Sequence, residues 1–242
     1  MMIDSHSHLN EVGEVEQAIR AAAAAGIQGI VAVGMDVDSN RVILELAERF
    51  PEMVHPAIGY HPWSVAEATI EENVSFIDAN LAECRALGEV GLDYKAKAKK
   101  KLQWEVFSRL LVVARRHEKP VIVHSRFSHQ RTHLMVKEAG IKKAVFHWYS
   151  GALDVLENIL ADGYYVSATP ALAYSTAHQD AMKAAPLGRI LVETDSPVEY
   201  GGRASAPVDL ITTLNELSRV KEVEPIKVRE VTTANAREFF GI

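Results

Sequence analysis

The densest chemical signal in the sequence is Asp4-Ser5-His6-Ser7-His8, acid and imidazole side chains alternating with serines at the start of the chain. Side chains alternate across a strand, so residues 4, 6 and 8 are expected on one face, with His6 and His8 gripping one metal ion from adjacent positions. Asp4, set deeper, is expected to orient an imidazole. Two buried, unpartnered imidazoles beside an acid would be costly, which argues against a merely structural turn. The same arrangement recurs four times: an apolar run, then at once a metal-ligating group. The segments are Gly88-Glu89-Val90-Gly91-Leu92-Asp93, Ile122-Val123-His124, Val145-Phe146-His147 and Glu193-Thr194-Asp195-Ser196-Pro197. His6, His8, Glu89, His124, His147 and Asp195 are together enough for two divalent ions. Imidazole with carboxylate suits zinc, manganese, iron or nickel, and magnesium less naturally.

The other histidines divide. His61, in Gly59-Tyr60-His61-Pro62, follows an apolar run directly and is a candidate for substrate contact or proton transfer. His55, His117, His129, His133 and His178 read as structural, the last three on loop or helix surfaces.

Groups that end apolar runs need strands whose ends converge. Strands are expected at Met2–His6, Ile27–Gly34, Val54–Gly59, Ala86–Gly91, Pro120–His124, Ala144–His147, Tyr164–Ala168 and Arg189–Glu193. Amphipathic stretches between them, such as Val12–Ala25, Asn40–Phe50, Leu102–His117 and Ala152–Ala161, have helical spacing. Runs such as Val121-Ile122-Val123 are apolar throughout, as in strands covered on both faces. Even alternation of this kind predicts an α/β fold, a (β/α)8 TIM barrel, whose active site lies where the C-terminal strand ends meet. No Gly-rich phosphate fingerprint follows the first strand, which weakens the open dinucleotide-binding alternative. Pro207–Val220 and Pro225–Phe240 read as closing helices.

The 242 residues suit one barrel domain spanning 1–242, and the 48% hydrophobic composition suffices for its core. The lone Cys84, in a segment that reads as helix, is expected to be a small core residue in a reducing compartment. Met1 to Asn10 lacks a basic start followed by an apolar run, and no stretch approaches a membrane span, so a soluble, cytoplasmic protein is expected. The sequence leaves the oligomeric state open; a monomer is compatible with it. The net charge of −6 argues against a nucleic-acid coat protein but not against a nucleic-acid enzyme, since bound cations and a local basic patch offset the global field.

In order and spacing these motifs resemble the TatD family of amidohydrolase-like barrels. Its pattern is matched by Asp4–Leu9, Gly59–Pro62, Gly88–Tyr94, Pro120–Arg126, Phe146-His147 and Glu193–Pro197, with Asn235 and Phe239 near the end. The resemblance implies that His6, His8 and Asp195 hold one metal, that His124 and His147 hold the second, and that Glu89 bridges them. It implies metal-dependent phosphodiester hydrolysis, with DNA as substrate. The chain departs from the family in three mouth loops. The stretch after Leu9 is short, Phe127-Ser128 stands where Asp-Ala is common, and Arg203 only echoes an Arg-Asn-x-Pro segment.

In this reading a metal pair activates water, Asp195 takes its proton, and Arg126, with Arg203 as a second candidate, holds a phosphate or carboxylate. The rival readings are a small-molecule amidohydrolase, lactonase or deacylase with the same metals, and a non-catalytic binding barrel, which the complete ligand set disfavours. Tyr60, Trp63, Tyr94, Trp148 and Tyr149 follow strand ends and are candidates for stacking bases. The run Lys95-Ala96-Lys97-Ala98-Lys99-Lys100-Lys101 is the densest basic segment. Lys97, Lys99 and Lys100 are expected to steer a polyanion; the alternative is a solvated lead-in to the following helix.

Overall fold

The computed structural model describes residues 2–242; Met1, the first residue of the segment read for a leader, lies outside it. Eight strands pair in sequence order: β1 (Met2–Ser7), β2 (Ile27–Val33), β3 (Val54–Tyr60), β4 (Ala86–Asp93), β5 (Val121–Arg126), β6 (Ala144–Phe146), β7 (Tyr165–Ala168) and β8 (Ile190–Val192). Every pairing is parallel. One helix crosses over between each pair: α1 (Val15–Ala24), α2 (Val37–Arg49), α3 (Ile70–Asn80), α4 (Lys100–Arg116), α5 (His129–Glu138), α6 (Leu153–Ala161) and α7 (Thr176–Ala184). A two-stranded hairpin, β9 (Glu199–Tyr200) with β10 (Arg203–Ala204), follows β8. Two helices, α8 (Leu210–Lys221) and α9 (Pro225–Phe240), end the chain. This is the TIM barrel that the alternation of apolar runs and amphipathic stretches predicts.

The barrel closes between β8 and β1 just beyond the end of β8. Asp195 N–H donates to the His6 carbonyl (3.0 Å) and His8 N–H to the Ser196 carbonyl (2.8 Å). Asp4 reinforces this seam by accepting from Thr194 N–H (3.0 Å) and Thr194 Oγ1 (2.6 Å). At the opposite end, α9 packs its Phe239 and Phe240 with Ile3, Val31, Ile122 and Leu191 in one apolar cluster. Arg85 and Lys143, which precede β4 and β6, donate to carbonyls of Gly241 and Glu238, so the C-terminal turn of α9 covers the N-terminal ends of the strands. A second, larger cluster fills the layer between strands and helices.

The differences from the sequence reading fall at element ends. β4 and β5 run two residues further than expected because their ladder continues through Leu92–Ser125 and Asp93–Arg126. β6 and β8 stop early, ahead of Trp148 and Asp195, whose φ values of 42° and 49° cannot continue a strand. α2 starts three residues before Asn40, where Asp36 and Ser39 form a reciprocal cap. Pro207–Asp209 is a separate 3-10 turn ahead of α8. Cys84 is not helical. It lies in extended backbone after a 3-10 turn, buried, and burial pushes its thiol up to about 12.

Candidate metal centre

The strand ends bring His6, His8, Glu89, His124, His147 and Asp195 together, all buried, with all but His6 on the floor of a cavity of about 760 Å³ at the C-terminal mouth. A first group gathers at the closure seam. His6 Nε2 lies 3.2 Å from His8 Nε2, both nitrogens lie 3.3 Å from Glu89 Oε2, and both lie 3.5 Å from Asp195 Oδ1. Four donors about 2.1 Å from a tetrahedral ion such as zinc stand about 3.4 Å apart. His6 and His8 thus face an oxygen of Glu89 and an oxygen of Asp195 at separations that suit donors to a divalent cation.

The second group uses the other oxygen of the same carboxylate. Glu89 Oε1 lies 2.6 Å from His124 Nδ1 and 2.7 Å from His147 Nε2, and those nitrogens are 3.4 Å apart. It has fewer donors than the first and is drawn closed by hydrogen-bond-length contacts. An ion there requires the imidazoles to move outward by a few tenths of an ångström.

Glycine backbone lets Glu89 reach this position. A Cβ on Gly59 of β3 would lie 2.5 Å from the Glu89 backbone nitrogen and oxygen, and one on Gly91 would overlap the His124 carbonyl oxygen. The neighbouring strands thus approach β4 where no side chain fits.

The electrostatics call for positive charge. Burial alone would push the Glu89 carboxyl up, but His147, His61, His6 and His124 hold it well below the usual carboxylate range. Against the downward pull of burial, Glu89 and Asp195 lift the His8 imidazole to about 9, and Glu89 and Glu193 lift His147 well above its ordinary value. Without a bound cation, protons must supply this charge; a divalent ion supplies it directly.

His61 reaches the centre in a different state. Its Nε2 lies 3.1 Å from His124 Nδ1 and 3.5 Å from Glu89 Oε1, while its Nδ1 accepts the Trp63 backbone N–H at 3.1 Å. Burial lowers it to about 4 and keeps it neutral. With Nδ1 accepting, the single proton sits on Nε2, and a protonated nitrogen donates hydrogen bonds rather than binding a metal.

Two acids that the sequence reading leaves without a role are working parts of the site, although both stand in its motifs. Asp93 Oδ2 accepts from Trp63 Nε1 (2.6 Å) and faces His124 Nε2 (3.3 Å), so it aims the nitrogen opposite the one that meets Glu89. Glu193 Oε1 accepts from Trp148 N–H (3.1 Å) and faces His147 Nδ1 (3.3 Å). Both stand where a carboxylate orients an imidazole that could hold a metal. The signal in the sequence is the place of each at the end of an apolar run. Asp4 does not do this job. Its carboxylate is taken by Thr194 across the closure seam. Burial raises its carboxyl to about 8.

The outer residues are placed unevenly. Arg126 is exposed and lines the cavity, the only lysine or arginine among the described residues that does so. Lys97, Lys99 and Lys100 are exposed on the β4–α4 segment and do not line it. Arg203 is paired with Asp209 (2.6 Å) at a smaller neighbouring cavity. Of the five aromatics expected at the mouth, Trp63 and Trp148 line the cavity. Tyr60 and Tyr149 are buried, with hydroxyls bonded to Thr69 Oγ1 (2.8 Å) and the Ala152 carbonyl (2.7 Å). Tyr94 is half-buried beneath Lys100. His133 and His178 are buried rather than on the surface. His133 meets Asp162, and His178 Nδ1–H donates to the Tyr149 carbonyl while its Nε2 accepts from Thr169 N–H. His129 is half-buried and lines the cavity.

The family model for TatD-related DNase matches residues 3–241. An uncharacterized metal-dependent hydrolase, YabD, of Bacillus subtilis is 28% identical, with both chains covered in full. A putative deoxyribonuclease, TATDN3, of Mus musculus is 28% identical over 99% of this chain and 88% of its own. The solved structure of YJJV, a TatD homolog from Escherichia coli k12, superposes with a TM-score of 0.90 at 24% identity, covering 100% of this chain and 98% of that one. The match over nearly the whole length, on a barrel whose strand ends gather these donors, places the chain in the TatD family of metal-dependent hydrolases.

Proposed function

We propose that the protein is a DNA phosphodiesterase working with two divalent ions. His6, His8 and Asp195 hold one ion, His124 and His147 the other, and Glu89 bridges them. The observation that carries the reading is the sharing of Glu89: its Oε2 faces His6 and His8, while its Oε1 faces His124 and His147. One carboxylate between two imidazole pairs is a bridging arrangement. When bound, such ions supply a Lewis acid and an activated water at neutral pH. Asp195 is placed to take the proton, since it lines the cavity beside His8 and burial raises its carboxyl. His61 donates from Nε2–H to an oxygen of the reacting group and, being neutral, does not compete as a cation. Arg126 at the rim meets a phosphate with its planar fork. The DNase description of the family model and of the mouse relative supports DNA as substrate.

The test is turnover of metal-loaded protein on a single-stranded oligodeoxynucleotide, a chromogenic phosphodiester and a lactone. Release of nucleotides at rates above the lactone reaction supports the reading. Lactone hydrolysis or deacylation with no phosphodiester cleavage under any of the candidate metals rejects it.

A further inference from the structure

The cavity mouth is lopsided. Among the described residues only three aromatic side chains are exposed, Trp63 (60%), Phe127 (62%) and Tyr174 (59%), and all three line this cavity. Cations gather at Phe127. Lys95 Nζ lies 5.2 Å and Arg126 Cζ 5.8 Å from its ring centroid. From there the alternation of cation and ring continues outward. Lys100 Nζ sits 4.1 Å over Tyr94, Trp104 Nε1 donates to the Tyr94 hydroxyl (3.2 Å), and Arg131 Cζ lies 4.8 Å over Trp104. The two loops involved are fastened together, since Tyr94 N–H donates to the Arg126 carbonyl (3.0 Å) and Ser128 Oγ to the Leu92 carbonyl (2.6 Å). Exposed Lys97 and Lys99 lie on the same segment.

In a chain of net charge −6, carboxylates to neutralise these cations are plentiful. The lysine–acid and arginine–acid pairs among the described residues nevertheless involve other cations, such as Arg20, Arg49, Arg109, Arg116, Lys137 and Lys142. Lys95, Lys100, Arg126 and Arg131 rest on rings instead. The cations at exposed Phe127 are weakly held, so a phosphate can draw them off and leave that ring free to stack a base. Half-buried Tyr94 and Trp104 instead pack against the core and hold Lys100 and Arg131 at the surface for the phosphates.

We propose that single-stranded DNA held at the metal centre leaves the cavity over Phe127. It then follows this strip of alternating cations and rings toward Arg131, and does not cross the rim at Tyr174. The proposal rests on the phosphodiesterase reading for the placement of the strand end. Its test is separable, because it reads binding without turnover.

Affinities of a dye-labelled twelve-nucleotide oligothymidylate and of a labelled thymidine dinucleotide, both with cleavage-resistant phosphorothioate linkages, are measured by anisotropy on the metal-loaded protein across a salt series. For the variant carrying Lys95→Gln, Lys100→Gln and Arg131→Gln, the twelve-nucleotide affinity should fall at least about tenfold, and its log–log salt slope should flatten by about 0.7 for each phosphate no longer neutralised. The dinucleotide, too short to leave the cavity, should change less than about twofold, a bound set well inside the effect of one phosphate. Phe127→Ala should weaken the longer strand; Tyr174→Ala, equally exposed, should not. Equal weakening for both lengths, an unmoved salt slope, or equal effects of Phe127→Ala and Tyr174→Ala would overturn the track. Turnover of the chromogenic phosphodiester without length-dependent binding rejects the track and leaves the phosphodiesterase. The predicted binding pattern without any cleavage retains the track and rejects the phosphodiesterase.

Discussion

Glu89 has both carboxylate oxygens engaged, Oε2 by His6 and His8 and Oε1 by His124 and His147, with His61 3.5 Å from Oε1. Glu89→Gln keeps the shape and removes the charge that both sites use, so metal titration should show both affinities falling at once. His147→Ala removes a donor from the second group only, and the first should stay within a few-fold. Two sites of unchanged affinity in Glu89→Gln would rule out the bridge. The groups are also unequal before any change. The first sets two imidazoles between oxygens of two carboxylates at 3.3 and 3.5 Å, and the second draws two imidazoles close onto one carboxylate oxygen, so the first is expected to fill at lower metal concentration. Asp195 is tested kinetically. A proton acceptor in the reaction contributes about 10²- to 10⁴-fold, so Asp195→Asn should lower kcat and kcat/KM together by about that much. Since Asp195 also belongs to the first group, the comparison is made at saturating metal. A rise in KM alone would make it a binding residue.

At the scale of elements, the site depends on how closely β3 and β5 approach β4. The Cβ of Gly59→Ala would meet backbone atoms of Glu89 and Gly88 at 2.5 Å, and backbone cannot swing aside as a flexible side chain can. The variant should lose about 1–3 kcal/mol of stability and much of its bound metal. Gly188→Ala, where an added Cβ meets nothing within 4 Å, serves as the control and should leave both intact. Normal metal content in Gly59→Ala would show that Glu89 does not need this close approach. A second element-level device is His178, near the start of α7, which bridges the loop after β6 to the end of β7 through both ring nitrogens. Burial lowers it from 6.5 to about 4, so the folded form keeps it neutral where the unfolded chain is protonated. Its contribution is present above pH 6.5 and is lost as pH falls from there toward 4, with a slope of up to about 1.4 kcal/mol per pH unit. Denaturant unfolding at several pH values should show a shallower slope for His178→Gln than for the wild type; identical slopes would remove His178 from the account.

For the molecule as a whole, the barrel separates its tasks. α9 and the strand interiors close one end with apolar packing, and the seam and mouth loops carry the chemistry at the other. Much of this is legible in the sequence. His6, His8, Glu89, His124, His147 and Asp195 each stand at or just past the end of an apolar run, and in a parallel barrel that position alone fixes which end they occupy. What cannot be read there depends on tertiary detail. Asp4 meets Thr194 across the closure seam, and no local pattern announces it. Tyr60 and Trp63 look alike in sequence. One is buried because its hydroxyl is held by the turn that follows, while the other is carried out to the rim. The supporting roles of Asp93 and Glu193 depend on which imidazole lies opposite, a matter of strand neighbours rather than of spacing. Lys97, Lys99 and Lys100, expected from the sequence to steer a polyanion, are exposed on the β4–α4 segment without lining the cavity.

The most direct test of the central claim is metal-dependent turnover measured together with metal content. Protein purified without chelator should carry near-stoichiometric divalent metal by elemental analysis and cleave single-stranded oligodeoxynucleotide. Chelation should abolish both, and cleavage should return in step with metal added back, with the second equivalent of metal required for full rate. The melting temperature should move in the same direction, since saturating a site at 100 times its Kd adds about 2.7 kcal/mol to the native state. Undiminished cleavage by metal-free protein, or full metal loading with no phosphodiester cleavage, would contradict the account.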